Sequence, residues 1–149
     1  MYSAVSIANK YVDLSIKEKL AISNMKLQKL IYIANGVCLA KNDEPLIIEQ
    51  IEVWPYGPVI RSVYNTYKIF GNSNISPKFF GSFDLGEDLD NKAMLAFQDA
   101  WNIGKDISAI KLSNWTHNPD SPWTKAKSEN LFTIPDEYMQ NYFKKFLEL

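Results

Sequence analysis

Apolar residues return at helical spacing through most of the chain. After Ser3, a side chain suited to capping, Ala4, Ile7, Ala8, Tyr11 and Leu14 follow a rhythm of threes and fours that predicts a first helix. A second is predicted after Ser23 and Asn24. Its inner face is Leu27, Leu30, Ile31, Ala34, Val37 and Cys38, with Lys26, Lys29 and Lys41 outside it, and Asn42-Asp43 and Pro45 end it. Leu46 to Trp54 breaks the rhythm. Ile47, Ile51 and Val53 alternate with Ile48, Gln50, Glu52 and Trp54, which predicts a short strand stopped by Pro55. Gly57-Pro58 then reads as the start of a third helix, since proline at the first helical position gives up an N–H that has no partner there. Val59, Val63, Tyr67 and Phe70 form its inner stripe, and Gly71 stands at the expected left-handed cap.

Residues 72–87 mix Gly, Asn, Ser and Pro with Phe79, Phe80 and Phe83, the pattern of a packed loop or short hairpin. Asp88 or Asp90 can cap a fourth helix with Leu89, Ala93, Phe97, Ala100 and Trp101 inward and Gly104 at its end. Asp106 or Ser108 opens a short helix through Ile110, Leu112 and Trp115, and Ser121-Pro122 opens another. Pro135 opens the last, with Tyr138, Met139, Tyr142, Phe143 and Phe146 on one face. The prediction is a mainly α fold: a compact bundle of about seven helices with one small β element near residues 46–54, and a single domain over 1–149.

Composition narrows the possibilities. A chain of 149 residues buries about 70% of its unfolded surface and needs no staple. Sixteen basic against 17 acidic side chains leave a formal net charge of −1, and Arg61 is the one arginine. Nucleic-acid binders usually carry a basic excess, so general nucleic-acid binding is disfavoured. Cys38 is alone, which fits a reducing compartment. The N-terminus lacks a signal-peptide pattern, and the most apolar run, Leu30 to Ala40, is about half the ~20 residues of a membrane span. A cytoplasmic protein with no membrane association is the expectation.

Candidate chemistry is sparse. One His and one Cys cannot make a His/Cys zinc site, no phosphate-binding glycine loop is present, and no cofactor or metal is expected. Asp84, Glu87, Asp88 and Asp90 read as a solvated acidic edge at a helix start. His117 could serve a nucleophile, but no strained nucleophile turn accompanies it; the structural reading is a polar tip that ends a helix and bonds a backbone carbonyl. Trp101 falls on a core stripe, whereas Trp54 and Trp123, beside prolines, could pack or anchor a partner. Lys10, Lys17, Lys19, Lys26 and Lys29 make the first quarter basic and read as a solvated outer face.

Three blocks carry a resemblance. They are Met25-Lys26-Leu27-Gln28-Lys29-Leu30-Ile31-Tyr32 with Leu39-Ala40; Glu52-Val53-Trp54-Pro55-Tyr56-Gly57-Pro58-Val59 with Val63-Tyr64; and Leu112-Ser113 with Thr116-His117 and Ser121-Pro122-Trp123. Their order and spacing, over roughly residues 5–128, resemble the Panacea domain, the SocA-like antitoxin family that includes phage-associated GepA-type proteins. The resemblance implies a mainly helical antitoxin of a bacterial or prophage toxin–antitoxin system. Its partner would be a cognate protein toxin, neutralised by direct binding, with adaptor delivery of the toxin to a Clp-type protease as a variant. No catalytic residue transfers, so no enzyme is expected. The alternative class is a nucleic-acid-associated prophage regulatory protein. Leu27, Leu30, Tyr32, Trp54, Tyr56, Gly57, Pro58, Tyr64, His117, Pro122 and Trp123 match the family pattern as fold-building or partner-binding positions. The expectation is that most build the fold and that partner-specific contacts lie elsewhere. The final helix, 135–147, reads as a family-variable addition.

Overall fold

A computed structural model describes residues 1–76 and 84–149. The loop or hairpin expected around Phe79, Phe80 and Phe83 lies outside the described residues. Among those described there are seven α-helices and a two-stranded antiparallel sheet: α1 (Ala4–Lys17), α2 (Asn24–Asn42), β1 (Glu52–Trp54), β2 (Gly57–Val59), α3 (Arg61–Tyr67), α4 (Asn91–Gly104), α5 (Ala109–Thr116), α6 (Pro122–Ser128) and α7 (Asp136–Phe146). A single 3-10 turn, Lys68–Phe70, extends α3. The fold is mainly α, as the periodicity predicts.

Helix starts follow capping chemistry. The side chains of Ser3, Ser23, Asp90, Ser108 and Ser121 each accept a hydrogen bond from the amide three residues on, satisfying a donor the helix itself leaves open. Asp90 and Ser108 are thus the caps chosen from the two pairs of candidates. Pro122 occupies the first turn of α6, and Pro135 directly precedes α7.

The central element is α2, and here the amphipathic expectation fails. From Leu27 to Ala40 every residue is buried, on all sides of the helix. Lys29, expected outside, is 1% exposed. α1, α3, α4, α5 and α7 all pack on α2, so no face is left for water. Glycines set two of the approaches. A Cβ on Gly36 would fall into the ring of Phe143 from α7, and one on Gly104 of α4 would lie 2.8 Å from a Leu30 methyl. The last helix is therefore fitted to α2, with Phe143 fully buried.

The β element also departs from expectation. Only Glu52–Trp54 forms a strand within 46–54, and Gly57-Pro58 does not start a helix. Gly57–Val59 returns antiparallel to β1, with Glu52 opposite Val59, Val53 opposite Pro58 and Trp54 opposite Gly57. Pro58 is tolerated because the ladder does not need its missing N–H. The Val53 amide points the other way, to Phe132 O at 2.9 Å, so Val53 and Pro58 face each other without exchanging bonds. Ile134 N donates to Ile51 O at 2.8 Å, which lays residues 132–134 along the outer side of β1. Helix α3 starts three residues later than expected, at Arg61. Ile110, placed on the path of α5's apolar residues, is 69% exposed, while Leu112 is buried.

Candidate functional site

Two carboxamide side chains and one lysine on α2 tie that helix to the segment that carries the tryptophan–glycine–proline block. Gln28 accepts from Ile60 N at 2.8 Å and donates to Asn24 Oδ1 at 3.1 Å. Asn35 accepts from Leu46 N at 2.8 Å and Ile47 N at 3.3 Å. Lys29 donates its ammonium to Pro58 O at 3.2 Å. Buried polar groups cost free energy unless paired. Here the polar residues of α2 pair with backbone that the irregular 46–60 segment leaves open.

The hairpin turn is held in the same way on its other side. Trp123 Nε1 donates to Trp54 O at 2.9 Å, and Ser113 Oγ donates to Tyr56 O at 2.9 Å. His117 Nε2 lies 3.2 Å from Pro55 O. With Lys29 on Pro58 O, four of the five carbonyls from Trp54 to Pro58 face a side-chain nitrogen or hydroxyl from α2, α5 or the start of α6. Gly57 carries φ of +115°, a conformation side chains rarely adopt, and a Cβ there would lie 2.9 Å from both Lys29 Nζ and Thr116 Oγ1. The turn can close on its supports only with glycine at this position.

His117 caps the C-terminus of α5, as the structural reading expects. Its Nδ1 sits 2.6 Å from Ser113 O, and its ring packs on Trp123 with centroids 4.0 Å apart. Both nitrogens face carbonyl oxygens, which only accept, so a neutral ring donates to one of them at a time.

Beside the turn, Glu52 collects a bidentate Arg61, with nitrogen–oxygen distances of 2.7 and 3.1 Å, and the Trp54 indole N–H at 2.9 Å. Burial alone would raise the Glu52 carboxyl, but the hydrogen bonds from Arg61 and Trp54 and the guanidinium charge hold it below the ordinary 4.5. Arg61 also lies 5.3 Å from the Trp54 ring centroid, and Tyr64 meets that ring edge-on at 4.9 Å. An open groove of about 510 Å³ runs next to this cluster, lined by Glu49, Gln50, Glu52, Arg61, Ser62, Asn65, Phe132 and Thr133.

The expected site residues divide into two groups. Trp54, Tyr56, Gly57, Pro58, Tyr64, His117 and Trp123 meet at or beside the turn, and Pro122 is buried at the start of the helix that carries Trp123. Leu27, Leu30 and Tyr32 are core. Tyr32 packs edge-on against Trp115 and Phe143, and burial pushes its hydroxyl well above the ordinary tyrosine value. Lys29, Glu52, Arg61 and Ser113 complete the site although sequence reasoning gave none of them a role there. For Lys29 a signal exists: its own row along α2 continues through Ile33, Gly36 and Ala40, all apolar or small. Among the described residues no group of His, Cys, Asp and Glu is arranged to hold a metal ion, and no helix is long and apolar enough to cross a membrane.

A family model described as antitoxin SocA-like, Panacea domain, matches residues 27–124. That span is shorter at both ends than the three sequence blocks suggest, and it contains every residue of the turn and its supports. Among curated proteins, Antitoxin SocA of Caulobacter vibrioides is 37% identical over 68 residues, which is 46% of this chain and 36% of that protein. The aligned region thus spans about a third of that relative's length. No solved structure matches the chain.

Proposed function

The chain belongs to the SocA-like antitoxin, Panacea domain family, and from that premise we propose that it neutralises a protein toxin by direct contact. It would act as the antitoxin of a bacterial or prophage toxin–antitoxin pair, in a binding role without catalysis. The family match over residues 27–124 carries this reading. The turn supports it, because the matched blocks converge there on a partly exposed aromatic surface.

Co-expression with the product of the neighbouring reading frame in a bacterial host is the test. Growth arrested by the neighbour alone and restored by this chain is the expected result. A neighbour harmless alone, or toxic in the presence of this chain, removes the reading. Toxin abundance in the rescued cells separates two mechanisms. Unchanged abundance means blocking, and loss that is reversed in a host lacking Clp proteases means adaptor delivery.

The nucleic-acid alternative loses part of its footing, since four of the five lysines that suggested it have a partner within the fold, while Lys19 stays exposed. Lys29 is buried, Lys26 donates to Lys105 O at 2.6 Å, Lys10 to Leu85 O, and Lys17 pairs with Asp13 at 2.8 Å.

A further inference from the structure

We propose that Tyr56, at the tip of the hairpin, is the anchor by which this chain docks into a cleft on its protein partner. The inference rests on the antitoxin reading and names the part of the surface that makes the contact. Tyr56 is 72% exposed, and its side chain makes no hydrogen bond or ring contact with any described residue. Tyr64, by comparison, is 37% exposed and has its ring packed on Trp54. An aromatic ring left this open adds little to the stability of the fold.

The backbone beneath that ring is held with unusual care. The Tyr56 carbonyl is bonded by Ser113, and those of Trp54, Pro55 and Pro58 face Trp123, His117 and Lys29 in turn. Fixing a surface turn in this way removes conformational freedom before binding, so less is lost when a partner is engaged. Tyrosine suits the role, with a large amphipathic ring and only two side-chain torsions to order. Exposed residues elsewhere, such as Leu95 on α4 and Ile69 in the 3-10 turn, are aliphatic and lack the amphipathic ring of a tyrosine.

The shape of the anchor specifies its receptor. A convex turn tip needs a concave surface, so the partner presents an apolar cleft one ring wide, with a polar group at its end for the phenol. The expectation that partner contacts lie away from the matched residues is thereby divided. Tyr56 supplies a shared anchor, and exposed residues outside the motif supply discrimination between partners.

The test uses the full-length chain and the purified product of the neighbouring reading frame, with binding measured by calorimetry. Tyr56→Ala is expected to weaken binding about 30-fold or more, the scale that marks an interface anchor, with an unchanged melting temperature. Leu95→Ala is expected to leave affinity within about twofold. A double-mutant cycle then asks whether Ser113 acts by presenting Tyr56. Ser113→Ala should weaken binding in the wild-type background and have no further effect beside Tyr56→Ala. Wild-type binding with Tyr56→Ala within about threefold of it overturns the anchor while leaving the antitoxin reading intact. A Ser113→Ala effect that is absent, or equal in both backgrounds, overturns the presentation role. Failure of the wild-type chain to bind or to neutralise removes the antitoxin reading, and the anchor falls with it.

Discussion

Lys29 shows how one side chain ties the interior to the surface turn. Its ammonium is taken almost wholly out of water to reach Pro58 O, and no carboxylate offsets the charge. Burial lowers its pKa from 10.5 to about 8. Below pH 8 both folded and unfolded chains hold the proton, and the cost of burying the charge is fully present, about 3 kcal/mol for a shift of this size. As pH rises from 8 towards 10.5 the folded chain loses the proton first, the unfolded chain binds more protons, and stability increases. Lys26, also lowered by burial, adds to the same rise. Above pH 10 the buried tyrosines reverse the trend. Tyr67 is pushed up to about 12 and Tyr11 and Tyr32 also lie well above 10, so their protonated forms stabilise the fold only until they ionise. Urea midpoints of the wild-type chain should therefore climb between pH 8 and 10 and then turn down. Lys29→Met should remove most of that climb, and equal slopes in the two proteins would show that Lys29 is not buried as a charge.

At the scale of elements, helix existence was legible because capping and apolar spacing agree locally. Ser3, Ser23 and Ser121 announce their helices by chemistry confined to one turn. Two features were not legible because distant residues decide them. Pro58 has the local signature of a helix start, but the bond from Val53 to Phe132, 79 positions on, creates a strand position that requires no N–H. Lys29 looks solvated by its charge; the apolar row it shares with Ile33, Gly36 and Ala40 points inward, but the packing of five helices around α2 decides its burial. The site follows the same division. Trp54, Tyr56, Gly57 and His117 could be singled out by pattern, whereas Glu52, Ser113 and Lys29 acquire roles only when α2, α5 and the hairpin meet. Gly36 offers a test of that packing. Alanine there would gain up to about 1 kcal/mol of helix propensity, yet its methyl must displace the buried Phe143 ring, and overpacking of this kind costs about 1–3 kcal/mol. Gly36→Ala should therefore destabilise the protein and speed amide exchange in α7 more than in α4. A stabilised variant would mean that α7 sits loosely on α2.

For the whole molecule, the segment that identifies the family and the segment that folds need not coincide. Residues 27–124 hold the turn and every side chain that supports it. Helices α1 and α7 lie outside that span, where their role asks only for an apolar face of suitable shape. Their core-facing side chains are nevertheless buried: Ile7, Tyr11, Val12, Met139 and Phe143 are each no more than 1% exposed. Tyr11 also donates its hydroxyl to Phe97 O at 2.9 Å, and the Ala4 amide at the start of α1 is bonded by Glu49. Five large side chains at about 1.5–3 kcal/mol each amount to the whole net stability of an ordinary domain, about 5–15 kcal/mol. The matched segment on its own should therefore leave two faces of α2 bare and fail to fold. Expressed alone, residues 27–124 should show no cooperative thermal transition and little near-ultraviolet circular dichroism, while the full chain melts in one step. A fragment that melts cooperatively near the temperature of the full chain would make α1 and α7 accessories.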